Sequence, residues 1–253
     1  ACAHRGLFYT LNKMKGIVHG DIGCYTLSAL PPLTAIDTCL CMGAGISMAH
    51  GTAQAIAASG SDDKRPVFGV IGDSTFFHSG ITSLLDVVYN QSNVTIIIMD
   101  NRITAMTGGQ QNPGTGHTLQ NREAPAVDIV KLVEALGVRQ VREVDPFNIK
   151  ETRTALKAAV EFEGPAVLVT RRPCVQLLDR DERIVRQVNP AECIGCAMCL
   201  QLGCPAIGQG DQIPPKKEGG KIRKQSRIDA TLCRGCSLCE QVCPSKAIAQ
   251  IES

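Results

Sequence analysis

Two short cysteine runs near the C-terminus constrain this chain more than any other feature. Cys193-x2-Cys196-x2-Cys199-x4-Cys204-Pro205 and Cys233-x2-Cys236-x2-Cys239-x3-Cys243-Pro244 lie inside a repeat, NPAECIGCAMCLQLGCPAI followed by DATLCRGCSLCEQVCPSKAI. The second run has the bacterial spacing for [4Fe–4S] clusters, in which three thiolates from one tight turn hold three corners of a cubane and the fourth crosses to the neighbouring cluster. The first run carries one extra residue before its last cysteine, read as a small bulge because the proline and the Ala-Ile after it are kept. Crossing then assigns cluster one to Cys193, Cys196, Cys199 and Cys243, and cluster two to Cys204, Cys233, Cys236 and Cys239. A pair of zinc sites is the bland alternative. Zinc takes its ligands in pairs and usually adds histidine, and this region has no histidine.

These eight are part of 13 cysteines in 253 residues. Metal-ligand spacing without a secretory segment points to thiolates in a reducing cytoplasm rather than to disulfides. No apolar run approaches the roughly 18 residues that span a bilayer, so no membrane partner is expected. Net charge is only +2, aromatic residues make up 4% and tryptophan is absent, which argues against a nucleic-acid binder built on stacking. The sequence opens on Ala1 rather than methionine, and residues upstream of it are expected.

Ahead of the cysteine runs the pattern is one of alternating strands and helices. Ile17–Asp21, Arg65–Asp73, Val94–Asp100 and Gly164–Thr170 are apolar runs of the kind found in buried parallel strands. Helices are expected over Gly45–Ser59, Phe76–Tyr89, Pro125–Gly137 and Asn148–Phe162. Strand–helix alternation implies an α/β domain, a parallel sheet with helices on both faces. It is expected over residues 1–174, followed by a linker at 175–185 and a small C-terminal α+β two-cluster domain at 186–253. The stretch Gly208–Arg227 between the two runs reads as an exposed polar loop.

Gly72-Asp73-Ser74, then twenty-five residues, then Asp100-Asn101 is the second informative pattern. Both ends follow apolar strands, so their side chains project from the carboxyl edge of the sheet, where such folds bind ligands. An acid and an amide from neighbouring strand ends, with a backbone carbonyl nearby, make a hard oxygen site suited to Mg2+ on a phosphate. The helix opening after Ser74 offers backbone N–H groups to that phosphate.

This spacing resembles the thiamine-diphosphate motif, with Ser74 and Asp100 in place of its usual glycine and first asparagine. The words GDIGCYTLSALPP at 20–32 and TAMTGGQ at 104–110 resemble the 2-oxoacid:ferredoxin oxidoreductases, most closely their indolepyruvate (arylpyruvate) type, over nearly the whole chain. The resemblance implies a sheet of the thiamine-diphosphate-binding type plus a ferredoxin-like module. It also implies Mg2+ on the Asp73 and Asn101 side chains and the Ile103 carbonyl. Asp21, Gly23, Cys24, Gly43, Gly45, Gly72, Ser74, Thr107 and Gly108 would then line the cofactor. Thiamine diphosphate would decarboxylate a 2-oxoacid, coenzyme A would take the acyl group, and the clusters would pass two electrons singly to ferredoxin. The activating glutamate of a pyrimidine-binding domain is not found here, so a hetero-oligomer or an upstream domain is implied. A third cluster is a further implication: Cys2, Cys24 and Cys174 would hold it, with a fourth ligand before Ala1. His4 sits beside Cys2 in a segment the family uses near its active site.

Several features have plainer readings. Cys39 and Cys41 read as buried small apolar residues; His19, His50, His78 and His117 read as structural. Gly43-x-Gly45 lacks the third glycine of a dinucleotide loop, since Met48 takes that place. Lys216, Lys217, Lys221, Arg223, Lys224 and Arg227 read as a solvated loop or, more sharply, as a docking surface for an acidic ferredoxin. Two rival functions stand beside the main one. A non-oxidative thiamine decarboxylase would leave the clusters without work; an electron-carrier subunit would leave the first domain as scaffold.

Overall fold

The computed structural model describes residues 2–178, 183–214 and 222–250. Its centre is a six-stranded parallel sheet built from β1 (Ile17–Gly20), β2 (Thr38–Cys39), β3 (Val67–Gly72), β4 (Thr95–Asp100), β5 (Gln140–Val144) and β6 (Ala166–Arg171), in the order β2-β1-β3-β4-β6-β5. From β1 the chain goes to β2 on one side and then crosses back to β3 on the other. The strand order therefore reverses between β1 and β3, the place where open α/β sheets bind ligands.

Alternating side chains of each strand feed two separate cores. Phe68, Val70, Ile97, Met99 and Leu168 face α1 (Arg5–Met14) and α6 (Ile149–Glu161). Val67, Ile71, Ile96, Ile98, Val167 and Val169 face α2 (Ala44–Ser59), α4 (Ile81–Tyr89) and α5 (Ile129–Ala135). Between β3 and α4, α3 (Asp73–Thr75) runs into a π-turn at Phe76–Gly80, a helix irregularity often found beside functional sites. The turn brings Gly80 hard against Ile71 and Phe76, where a Cβ would stand 2.8 Å from each ring or methyl.

The C-terminal module is small: β7 (Arg186–Val188) pairs antiparallel with β10 (Ile248–Gln250), β8 (Ile207–Ile213) with β9 (Arg223–Ile228), and α7 (Leu238–Gln241) closes one side. Leu202, Leu238, Val242 and Ile248 join the same apolar core as Leu7, Phe8 and Leu11 of α1. At its edge Gln241 donates to the Phe147 carbonyl at 2.7 Å and accepts from the Ile149 N–H at 3.0 Å. The module is docked on the sheet domain through α1 and the start of α6.

Several expectations change in detail. Within Gly208–Arg227, expected to be loop, β8 and β9 pair antiparallel, with a bulge between Gln209 and Gln212, and residues 215–221 lie outside the described residues. Lys216, Lys217 and Lys221 lie outside the described residues, while Arg223, Lys224 and Arg227 lie on β9. The helix expected over Pro125–Gly137 starts only at Ile129, because Asp128 caps it by accepting from the Lys131 N–H. In the expected linker, Val175–Leu177 form a 3-10 turn; residues 179–182 lie outside the described residues. Cys39 and Cys41 are exposed rather than buried, because β2 is a two-residue strand at the sheet margin.

Phe68 is fully buried in the core shared with α1, whereas Tyr89 is 84% exposed at the end of α4. Phe68→Ala is expected to cost about 3–5 kcal/mol and Tyr89→Ala no more than about 0.5 kcal/mol, read as shifts in urea midpoint. Equal effects of the two would contradict this packing.

Candidate functional site

An open cleft of about 530 Å³ lies at the carboxyl ends of β1, β3 and β4, with His4, Cys24, Asp73, Asn101, Ile103 and Thr107 among its lining. The register explains the convergence: Gly72 pairs with Met99 and Asp100 with Arg171, so Asp73 and Asn101 emerge just past the paired ends. Asp73 is 4% exposed. Its Oδ1 accepts from the Ser74 N–H at 2.7 Å and its Oδ2 from Asn112 Nδ2 at 3.3 Å. Burial pushes its carboxyl up to about 7, with the nearby Asp100 charge adding and the Ser74 and Asn112 bonds opposing. A carboxylate so disfavoured when alone is what a bound cation would relieve. Asn101 is buried too; its Oδ1 accepts from the Ile103 N–H at 3.3 Å, which turns the 101–103 backbone over the cleft. Arg102 makes that turn with φ +62°. Asp100 is engaged elsewhere, bonded to Arg171 Nε at 2.8 Å and to Arg102 Nε at 3.3 Å.

The floor of the cleft is set by the turn after β1. Asp21 is fully buried; its carboxylate accepts from the Ile22 N–H at 2.5 Å and the Gly43 N–H at 2.9 Å, and burial raises its pKa against those two bonds. Gly43 sits at φ +90° with Ser79 Oγ 2.3 Å from where a Cβ would be, so only glycine serves there. Gly45 does not line the cleft. It lets α2 lie against the strands, since a Cβ would stand 2.7 Å from the Val70 carbonyl. Tyr25 was not expected from the sequence. Its hydroxyl accepts from the Gly72 N–H at 3.0 Å and donates to the Ile22 carbonyl at 3.2 Å, tying the two strand ends together. His4 stands edge-on to the Tyr25 ring at 5.7 Å, and burial lowers its pKa to about 4, so the imidazole is neutral at pH 7. Gly23, Gly72, Ser74 and Thr107 line the cleft; Gly108 lies just beyond, at φ +118° in the turn closed by Thr107 and Gln110.

Asn112 is the other missed residue. It lies in QNPGTG, which reads only as a turn, and its side chain reaches Asp73 because Gly114 N–H holds its Oδ1 at 2.9 Å. Tyr25 gave no signal beyond being an aromatic beside Gly23.

In the module the two cysteine loops repeat each other's backbone. Gly195 and Gly235 have φ +63° and +73°, and Ala197 and Ser237 both have φ +61°. Cys193, Cys196, Cys199 and Cys243 surround a pocket of about 300 Å³. Burial raises the Cys199 thiol, the Ser226 bond opposes it, and Cys196 and Cys193 raise it further. Burial pushes the Cys239 thiol up to about 12, with Cys236, Cys204 and Cys233 adding to it. Each set thus draws four thiols from both repeats, with Cys199, Cys233 and Cys239 buried, Cys196 exposed and the others half-buried, a donor set suited to an iron–sulfur cluster. By the cleft, burial raises the Cys24 thiol, and the neighbouring Cys2 and Cys174 add to it. The Cys174 N–H donates to the Asn101 carbonyl at 2.9 Å.

Residues 21–170 match the family described as thiamine pyrophosphate enzyme, C-terminal TPP binding domain. The chain belongs to the thiamine pyrophosphate enzymes. Residues 226–249 match the 4Fe-4S binding domain, so the chain carries a cluster motif as well. The chain is similar to indolepyruvate oxidoreductase subunit IorA of Pyrococcus horikoshii, at 40% identity over 99% of this chain and 40% of that subunit. It is also similar to 2-oxoacid:ferredoxin oxidoreductase 1, subunit beta, of Aeropyrum pernix, at 27% identity over 67% of this chain and 53% of that one. A solved 2-oxoglutarate:ferredoxin oxidoreductase from Magnetococcus marinus shares the fold, with TM-score 0.59 and 20% identity over 71% of this chain and 65% of that one. The expected family and fold class are borne out. The chain spans about two fifths of the length of the first curated relatives it matches.

The Asp73 carboxyl sits above its ordinary value in the folded, ligand-free protein. Folding therefore favours its protonated form, and the stability linked to this group is full below pH ~4 and lost as pH rises toward 7. Ligand-free Asp73→Asn is expected to match the parent near pH 4 and to exceed it at pH 8 by at most about 4 kcal/mol in urea unfolding. Equal stability at pH 8 would contradict the burial of this carboxylate.

Proposed function

We propose that this chain is the diphosphate-binding and electron-collecting part of a 2-oxoacid:ferredoxin oxidoreductase, acting on an arylpyruvate such as indolepyruvate. One observation carries the reading: a thiamine-type cleft and an eight-cysteine module share one apolar core through α1. Neither a decarboxylase without acceptor nor a carrier without active site has use for both.

Asp73 and Asn101 side chains with the Ile103 carbonyl would hold Mg2+, consistent with a buried carboxylate awaiting a cation and an amide beside it. Ser74 and the start of α3 would sit at the diphosphate; Gly23, Gly72 and Thr107 would flank the cofactor. Thiamine diphosphate, when bound, supplies the electron sink for decarboxylation of the 2-oxoacid, and clusters supply one-electron acceptors. The chain's own part is to orient and to exclude water. Tyr25 fixes the Gly72 backbone, Asp21 fixes the Gly43 turn, and neutral His4 presents an uncharged ring at the cleft wall. Ile22, Met42, Met99 and Met106 make that wall apolar, a surface suited to an aryl side chain.

Cys193, Cys196, Cys199 and Cys243 would hold one [4Fe–4S] cluster and Cys204, Cys233, Cys236 and Cys239 the other. Cys2, Cys24 and Cys174 would supply three ligands of a third, nearer the cleft. The partners would be coenzyme A as co-substrate, ferredoxin as acceptor, and a subunit or upstream domain bringing the activating glutamate, in a cytoplasmic hetero-oligomer. No helix among the described residues is long and apolar enough to cross a membrane.

The Asp73→Ala variant of the complete subunit is expected to lose thiamine diphosphate and Mg2+ while keeping its iron. About twelve iron atoms per chain are expected for three cubanes and about eight for two. Cofactor retained at full stoichiometry in Asp73→Ala would overturn the magnesium assignment. Iron near eight, unchanged by Cys24→Ser, would overturn the third cluster.

A further inference from the structure

The two cysteine repeats differ in length at one place, CLQLGCP against CEQVCP, and the extra residue is Gly203. It ends the 3-10 turn Met198–Leu202 with φ +62° and immediately precedes Cys204. A Cβ on it would lie 3.0 Å from Arg5 Nη1 and 3.2 Å from Pro32 Cδ. Arg5 Nη1 donates to the carbonyls of both Leu202, at 3.0 Å, and Gly203. The residue that breaks the symmetry of the repeat is thus the one the sheet domain grips. Arg5 is the first residue of α1, and its neighbour His4 lines the cleft.

Other contacts from the sheet domain fall on the same half of the module. Arg234 Nη2, between Cys233 and Cys236, donates to the Val175 carbonyl at 3.2 Å, one residue past Cys174. Gly6 packs against Leu238, and Gln241 holds Phe147 and Ile149. The Cys193–Cys199 loop is instead covered by the module's own hairpin. Arg223 Nη1 donates to the Ile194 carbonyl at 3.3 Å, and Gln225 Nε2 to the Pro190 carbonyl at 2.8 Å. Arg5 Nε is buried with no hydrogen-bond partner among the described residues. A buried guanidinium N–H beside a cluster loop favours added negative charge there.

We propose that Arg5 is a positioning residue that latches the Gly203–Cys204 bulge to the thiamine cleft, so that the cluster held by Cys204, Cys233, Cys236 and Cys239 is the first of the module's two to receive electrons. The inference rests on the ligand assignment proposed above. Two electrons leave the substrate carbon in two single steps. Each electron, reaching this cluster directly or through the third one proposed above, would add one negative charge beside the Arg5 guanidinium before leaving for the Cys193 cluster and then a one-electron acceptor.

The test is an EPR-monitored redox titration of the complete, cluster-loaded subunit and two variants. Ser226 Oγ lies 3.0 Å from Cys199 Sγ, so Ser226→Ala marks the potential of the Cys193 cluster by lowering it. Arg5→Gln is expected to lower the other potential, by about a tenfold change in reduction equilibrium, ~59 mV for one electron, with iron content unchanged. Should Arg5→Gln fail to assemble, Arg5→Lys keeps the charge but not the fork, and a smaller fall of the same potential is expected. Unchanged potentials in these Arg5 variants, or a fall in the one that Ser226→Ala marks, would overturn the proposal. A parent subunit that binds no cluster at the eight cysteines would refute the ligand assignment instead.

Discussion

Helix α1 is packed on two sides at once. Leu7, Phe8 and Leu11 meet Phe68 and Leu156 of the sheet domain, and the same core continues into Leu202, Leu238 and Val242 of the cysteine module. Burying both layers against one helix fixes how far the module stands from the strand ends, because packed interiors do not deform continuously. The start of that helix carries His4 into the cleft and Arg5 onto the Leu202–Gly203 carbonyls. The separation of cleft and cysteine module is thereby set by apolar packing, and polar contacts at its margin refine it.

At the cleft the dominant effect is desolvation. Asp73 and Asp21 lie on adjacent strand ends and both are taken out of water, but they are treated differently. Asp21 has two backbone N–H donors and shapes a turn. Asp73 accepts from the Ser74 N–H and the Asn112 amide, has the like charge of Asp100 nearby, and lines the cleft. Of the two, Asp73 is the one with more to gain from a cation, whereas Asp21 is already committed to its turn.

Much of this was legible in the sequence because it depends on local order. The buried runs that became β3, β4 and β6 are continuous and apolar, and the carboxyl-edge position of Asp73 and Asn101 follows from where those runs stop. The cysteine spacing carried the gathering of the loops for the same reason. What was not legible depends on tertiary packing. β5 is an edge strand carrying Gln140, Arg142 and Glu143, too polar to stand out, and the helix Arg5–Met14 gained its meaning only from what it packs against. Tyr25 and Asn112 reach the cleft from turns whose direction no periodicity encodes. Cys39 and Cys41 read as core because their neighbours are apolar, but the sheet margin leaves them exposed.

The central claim is that the cleft and the cysteine module act as donor and acceptor within one chain. It is tested most directly by adding a 2-oxoacid and coenzyme A anaerobically to the complete enzyme, without external acceptor, and following the iron–sulfur absorbance near the visible charge-transfer band. Bleaching with the parent enzyme is expected. With Asp73→Ala, dithionite should still bleach the clusters but the 2-oxoacid should not. Acyl product formed while the parent clusters stay oxidised, or substrate bleaching that persists in Asp73→Ala, would contradict it.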